Sequence, residues 1–93
     1  MAELKWSNNA IEDVLEIEEY WQKVSIEYAR EIVRGIMEKP DVLKTMPEMG
    51  RRVPELGDPS IREIFERQYR IIYVYQKDIV EILTIIHTSK LLN

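Results

Sequence analysis

From Ile61 onward the chain falls into three runs rich in Ile, Val and Tyr, Ile61 to Glu66, Tyr69 to Gln76 and Ile79 to His87, parted only by the polar pairs Arg67-Gln68 and Lys77-Asp78. β-Branched and aromatic side chains suit a pleated, half-buried surface, and a two-residue polar break leaves room for a hairpin turn and little else. The runs therefore predict an antiparallel meander. Because side chains alternate along a strand, two-residue turns place Ile64, Ile71, Tyr73, Val80, Ile82 and Ile86 on one face with Arg62. Phe65, Arg70, Ile72, Val74, Leu83 and His87 fall on the other. The first face is the more apolar and is expected to pack on the rest of the protein; the second, which also carries Glu63 and Glu81, suits a concave working surface. A single bulge would reassign a strand.

The first half has a different period. After a short strand over Ala2 to Trp6, the polar trio Ser7, Asn8 and Asn9 supplies candidates for a helix N-cap. Ala10, Val14, Ile17, Trp21 and Val24 then recur at steps of four and three, with Ile11 and Leu15 widening the stripe, which predicts an amphipathic helix. Its acids, Glu12, Asp13, Glu16, Glu18 and Glu19, read as a solvated outer face. Ser25 can cap a second helix on which Ile26, Ala29, Val33 and Ile36 form the stripe, broadened by Ile32 and Met37. So short a connection predicts a helix hairpin. Pro40 stops or kinks the second helix near Lys39, and Leu43 beyond it still faces the core.

The segment Met46 to Pro59 holds three of the four prolines and two of the three glycines and reads as a long loop. The order strand, helix, helix, loop and three strands defines an α+β protein, with a helix hairpin on one side of a mainly antiparallel sheet. At 93 residues a single domain over 1–93 is expected. The absence of cysteine rules out disulfides, thiolate metal sites and cysteine nucleophiles. With one histidine and no carboxylate spacing typical of metal ligands, neither a metal nor a cofactor is expected. No apolar run is long enough to cross a bilayer, and Met1 to Trp6 lacks the layout of a signal peptide, so a cytoplasmic protein without membrane contact is expected. The net charge of −4 argues against broad affinity for nucleic acid. Charge is polarised, however, with acids crowded early and Arg51, Arg52, Arg62, Arg67 and Arg70 late.

The layout and several motifs resemble the RelE/ParE superfamily of type II toxin–antitoxin toxins along nearly the whole chain. The residues concerned are Trp6 in the first strand, Ala10, Ile17 and Tyr20 in the first helix, and Ala29 and Ile36 in the second. They continue with Pro47-Glu48-Met49-Gly50-Arg51-Arg52-Val53-Pro54-Glu55-Leu56, Ile61-Arg62-Glu63-Ile64, Tyr69-Arg70-Ile71-Ile72-Tyr73 and Ile82-Leu83-Thr84-Ile85-Ile86-His87. The resemblance implies a β-α-α-β-β-β fold, a cognate antitoxin as partner in a heterotetramer or larger complex, and a role in growth inhibition and plasmid stabilisation. The Gly50-Arg51 through Pro54-Glu55 stretch and the Tyr69 to Tyr73 strand look closer to the ParE branch, whose members poison DNA gyrase by binding, than to the RelE nucleases, which cut messenger RNA on the ribosome. Glu66 stands where that nuclease branch often has a catalytic arginine, and a carboxylate there repels a phosphate. The segment after His87 lacks the arginine and tyrosine of many RelE enzymes. A gyrase-binding toxin that is not an enzyme is thus the leading expectation. A ribosome-dependent endoribonuclease, or a former toxin kept as a binding module, are the alternatives.

Candidate residues carry two readings each. Arg51 and Arg52 contact a partner's phosphate or carboxylate, or clamp Glu48 or Glu55 locally. Arg62 and Arg70 bind a partner, or form cross-strand ion pairs with Glu63 or Glu81. His87 acts as an acid or base, or serves as a structural hydrogen-bonding residue. Trp21 packs in the core or contributes to the surface an antitoxin covers. In the nuclease alternative Arg51, Arg62, Arg70, His87 and Lys90 surround the phosphate; in the binding reading Arg51, Arg52, Arg62, Arg70 and Trp21 meet the partner.

Overall fold

The computed structural model describes residues 1–92. Strand β1 (Glu3–Trp6) leads into helix α1 (Asn8–Gln22), helix α2 (Ile26–Glu38) and a 3-10 turn over Lys39–Lys44. Strands β2 (Arg51–Arg52), β3 (Ile61–Glu66), β4 (Tyr69–Gln76) and β5 (Ile79–His87) follow. They form one sheet in the order β1-β5-β4-β3-β2, antiparallel except where β1 runs parallel to β5.

Both helices start where the caps predict. The Ser7 Oγ accepts from the Ala10 amide at 3.0 Å and the Ser25 Oγ from the Tyr28 amide at 3.2 Å, each satisfying an amide with no partner inside its helix. Pro40 lies in the first turn of the 3-10 segment, where its missing amide hydrogen costs nothing. The buried core lies between the hairpin and one face of the sheet, with Ala10, Val14, Ile32, Ile36 and Leu43 against Ile64, Ile71, Tyr73, Val80 and Ile82.

Several expectations are corrected. The loop after the 3-10 turn contains the two-residue strand β2, paired as Arg51 with Glu63 and Arg52 with Arg62, so the sheet has five strands. Val24 lies beyond the end of α1 and is exposed; Ile11, Leu15, Ile26 and Met37 are exposed as well, so both apolar stripes are narrower than their sequence spacing. Both hairpin connections are two residues long, with Glu66 opposite Tyr69 and Gln76 opposite Ile79. Within β5, however, Tyr73 faces Ile82 and Ile72 faces Thr84, which leaves Leu83 as an extra residue. Everything after this bulge changes face. Ile85, not Ile86, joins the buried face, and His87 moves to the helix side opposite Tyr69.

The bulge sits where β5 runs past the end of its partner β1, which pairs only with Ile79 to Ile82. An edge so exposed needs partners for its backbone, and the start of α1 provides them. Ser7 Oγ donates to the Leu83 carbonyl at 2.9 Å, and Asp13 Oδ2 accepts from the Ile85 amide at 3.0 Å and the Thr84 hydroxyl at 2.5 Å.

Candidate functional site

The sheet face turned away from the helices holds a buried ionic cluster. Glu63 on β3 has a side chain with no exposure, although its charge demands partners once removed from water. Two arginines supply them. Arg70 Nε on β4 donates to Glu63 Oε1 at 2.6 Å, and Arg51 Nε on β2 donates to Glu63 Oε2 at 2.7 Å. The Arg70 fork then grips Glu55 from the loop, with Nη1 to Oε2 at 2.7 Å and Nη2 to Oε1 at 2.8 Å. Such bidentate pairs combine charge with matched geometry.

The cluster fastens the segment after β5. Arg70 Nη1 also donates to the Lys90 carbonyl at 3.1 Å, and the Leu92 amide donates to Glu55 Oε2 at 2.9 Å. The Arg70 side chain, followed by the Leu92 amide, holds the Glu55 carboxyl down at about 2. Glu55 in turn, ahead of Glu63, pushes the Arg70 guanidinium further up against the opposing effect of burial. Arg51 is half-exposed and lies 5.0 Å above the Phe65 ring. Together with Pro54, Lys90 and Leu91 these groups border a shallow depression of about 380 Å³.

The opposite side of the sheet holds the other candidates. Arg62 Nη1 donates to the Gly50 carbonyl at 2.9 Å and its Nη2 lies 3.8 Å from Glu48. Here the chain is packed too tightly for any side chain at position 50: a Cβ would meet the Tyr73 hydroxyl at 2.6 Å and the Glu63 carbonyl at 2.7 Å. The Tyr73 hydroxyl accepts from the Gly50 amide at 3.1 Å and donates to the Pro47 carbonyl at 2.8 Å, while burial pushes its phenol up. Arg52 is exposed on the edge strand.

Trp21 Nε1 donates to the Tyr69 hydroxyl at 2.8 Å, and the Tyr69 ring meets His87 edge-on at 5.7 Å. His87 Nδ1 pairs with the Ser89 hydroxyl at 2.7 Å and accepts from its amide at 3.0 Å. These residues line a cleft of about 530 Å³ between α1 and the end of β5.

The structure therefore brings together Arg51, Arg70 and Lys90 but places Arg62 and His87 on the other side of the sheet. The Glu66 carboxylate also lies on the helix side, against Gly35 of α2 and 3.7 Å from Arg67. It does not face the arginine cluster; the negative charge in the cluster comes from Glu63 and Glu55. Sequence reasoning named Glu63 and Glu55 only as neighbours of the arginines. Their place at the centre was readable in one signal: a strand glutamate that alternation puts on the same sheet face as Arg70 of the next strand. Asp13, read as solvated, sits at the flank of the α1 apolar stripe rather than opposite it.

Known proteins give the arrangement its context. The P. aeruginosa chromosomal ParDE toxin–antitoxin system contains a chain of the same fold, with a TM-score of 0.80 and 24% identity over 94% of this chain and 96% of that one. A second solved structure, the heterotetrameric complex of YoeB-YefM toxin–antitoxin from Staphylococcus aureus, is more distant, with a TM-score of 0.54 and 15% identity over 90% of this chain and 93% of that one. No curated protein matches the chain by sequence. The sequence profile of the ParE toxin of the type II toxin–antitoxin system, parDE, matches residues 4–92, and the chain belongs to that family of toxins.

Proposed function

We propose that this toxin inhibits DNA gyrase by binding it, does so in the cytoplasm without cutting RNA, and is neutralised by a cognate antitoxin with which it forms a heterotetramer or larger complex. The observation that carries this reading is the full commitment of Arg70, with Arg51 tied by its Nε to Glu63. Cleaving an RNA backbone calls for cations free to face the phosphate and an acid or base within hydrogen-bond reach of the reacting hydroxyl. Here Arg70 Nε, Nη1 and Nη2 all bond within the protein, two carboxylates balance the two guanidiniums, and the single histidine is on the far side of the sheet. Such a cluster suits holding a loop and the chain end in one shape for a partner to read. The antitoxin reading is supported by the apolar helix hairpin and by the toxin–antitoxin complexes in which the solved relatives occur.

Controlled expression in bacteria tests the reading. Filamentous cells with halted DNA synthesis and continuing translation are expected. Arrested translation with new codon-phased ends on messages, or normal growth, would overturn it.

A further inference from the structure

Arg51 enters the ionic cluster by one nitrogen only. Its Nε donates to Glu63 Oε2 at 2.7 Å, and among the described residues neither Nη1 nor Nη2 makes a hydrogen bond. The outer edge of a guanidinium, with its two parallel N–H groups, is the edge that grips a carboxylate. Here that edge is held in place. Glu63 fixes the guanidinium from inside the protein, the Phe65 ring lies 5.0 Å beneath it, and the amide of the preceding Gly50 is pinned to the Tyr73 hydroxyl at 3.1 Å. An arginine already immobilised loses little further freedom on binding.

The surroundings decide what fits against it. The adjoining depression of about 380 Å³ is walled by Pro54, Phe65 and Leu91, of which Phe65 is 39% and Leu91 76% exposed. Arg51, Arg70 and Lys90 meet Glu55 and Glu63 there, which leaves a surplus of one positive charge. Both carboxylates are engaged, since each oxygen of Glu63 and of Glu55 already accepts from an arginine. A single open fork beside exposed apolar side chains matches a carboxylate with an apolar neighbour. It matches a nucleic acid poorly, because a phosphate backbone calls for a row of cations.

We propose that the depression beside Arg51 and Phe65 is a docking site for an acidic, apolar segment of a partner protein, whose carboxylate takes the Arg51 fork and Lys90 while its apolar neighbour covers Phe65 and Leu91. Naming gyrase as that protein rests on the function proposed above; the chemistry of the segment rests on the depression alone.

The test follows the labelled whole chain by nuclear magnetic resonance as two short capped peptides are added. One alternates glutamate with phenylalanine and leucine; the other has glutamine for each glutamate. The acidic peptide is expected to shift the Arg51 Nε–H, Phe65 ring and Leu91 methyl signals, and to weaken as salt is added. Arg51→Ala and Phe65→Ala each lower its affinity by about tenfold, whereas Lys5→Ala, which removes an exposed cation from the opposite edge strand, leaves it unchanged. Arg51→Lys keeps the charge without the fork and recovers only part of the loss. Equal binding of the glutamine peptide, shifts elsewhere, no shift at all, tighter binding of a single-stranded DNA oligonucleotide, or self-association of the chain that Arg51→Ala abolishes would overturn the proposal. A supercoiling assay keeps the two readings apart. Inhibition by Arg51→Ala as strong as by the unaltered chain removes gyrase from this site and leaves the chain a gyrase inhibitor; peptide binding at Arg51 with supercoiling untouched keeps the site and ends the gyrase reading.

Discussion

Two carboxylates at the cluster, Glu63 fully buried and Glu55 partly so, predict different experiments. Glu63 is shut away from water between Arg51 and Arg70. Glu63→Gln leaves the buried Arg70 short of a counter-charge and is expected to cost about 3 kcal/mol in urea unfolding. Arg51→Ala removes a guanidinium that is 58% exposed and costs under ~1 kcal/mol. Equal losses would mean that the cluster is not organised around Glu63. Glu55 titrates instead. Its folded value is depressed from 4.5 to about 2, so the hold on Leu92 is complete above the ordinary value and is lost as pH falls toward 2. The Leu92 amide signal should move with a midpoint near the lower value, and Glu55→Gln should release the segment at neutral pH; a midpoint near 4.5 would contradict the clamp. Turn residues give a third case. Lys77 and Asp78 both have positive φ, at 51° and 64°, a region that costs side chains but not glycine. Asp78→Gly should stabilise the β4–β5 hairpin by about 0.5–1 kcal/mol in thermal unfolding, and a loss of stability would show that the aspartate makes a contact worth more than the strain.

At the scale of elements, most of the fold was legible and one feature was not. Ser7, Ser25 and Pro40 marked the helix ends because capping and the missing proline amide act within a few residues. Arg67-Gln68 and Lys77-Asp78 marked both hairpins for the same reason of local chemistry. The bulge at Leu83 left no such mark. It arises where the pairing with β1 ends, at Trp6 opposite Ile82, and α1 takes over the edge, a relation between elements more than 70 residues apart in sequence. That one residue moved His87 and Ile86 to the wrong faces and hid the role of Asp13. Asp13→Ala should therefore cost about 1–3 kcal/mol, since the Ile85 amide and Thr84 hydroxyl lose their acceptor. Amide exchange at Ile85 should rise with it; an unchanged exchange rate would show that Asp13 does not hold the edge. The narrow apolar stripes have a related cause: Ile11 and Leu15 fit the helical period, yet only a burial map tells which flank the sheet covers.

Over the whole molecule the sheet divides the charged residues into two populations that serve different ends. On the open face, Arg70 is neutralised and used to fasten a loop and the segment after β5; on the helix side, Asp13 holds the β5 edge while Glu12, Glu16, Glu18 and Glu19 have no basic partner among the described residues. The crowding of acids early and arginines late was visible in the sequence, but which arginines were spent internally was not, because that depends on how β2, β3 and β4 align Arg51, Glu63 and Arg70. The proposed function accordingly relies on surfaces rather than on a reactive centre. Its most direct test is a supercoiling assay with purified gyrase and the purified chain. Inhibition that grows with the amount of chain, with RNA left intact in a parallel reaction on translating ribosomes, is the predicted result; undisturbed supercoiling together with cut message would contradict it.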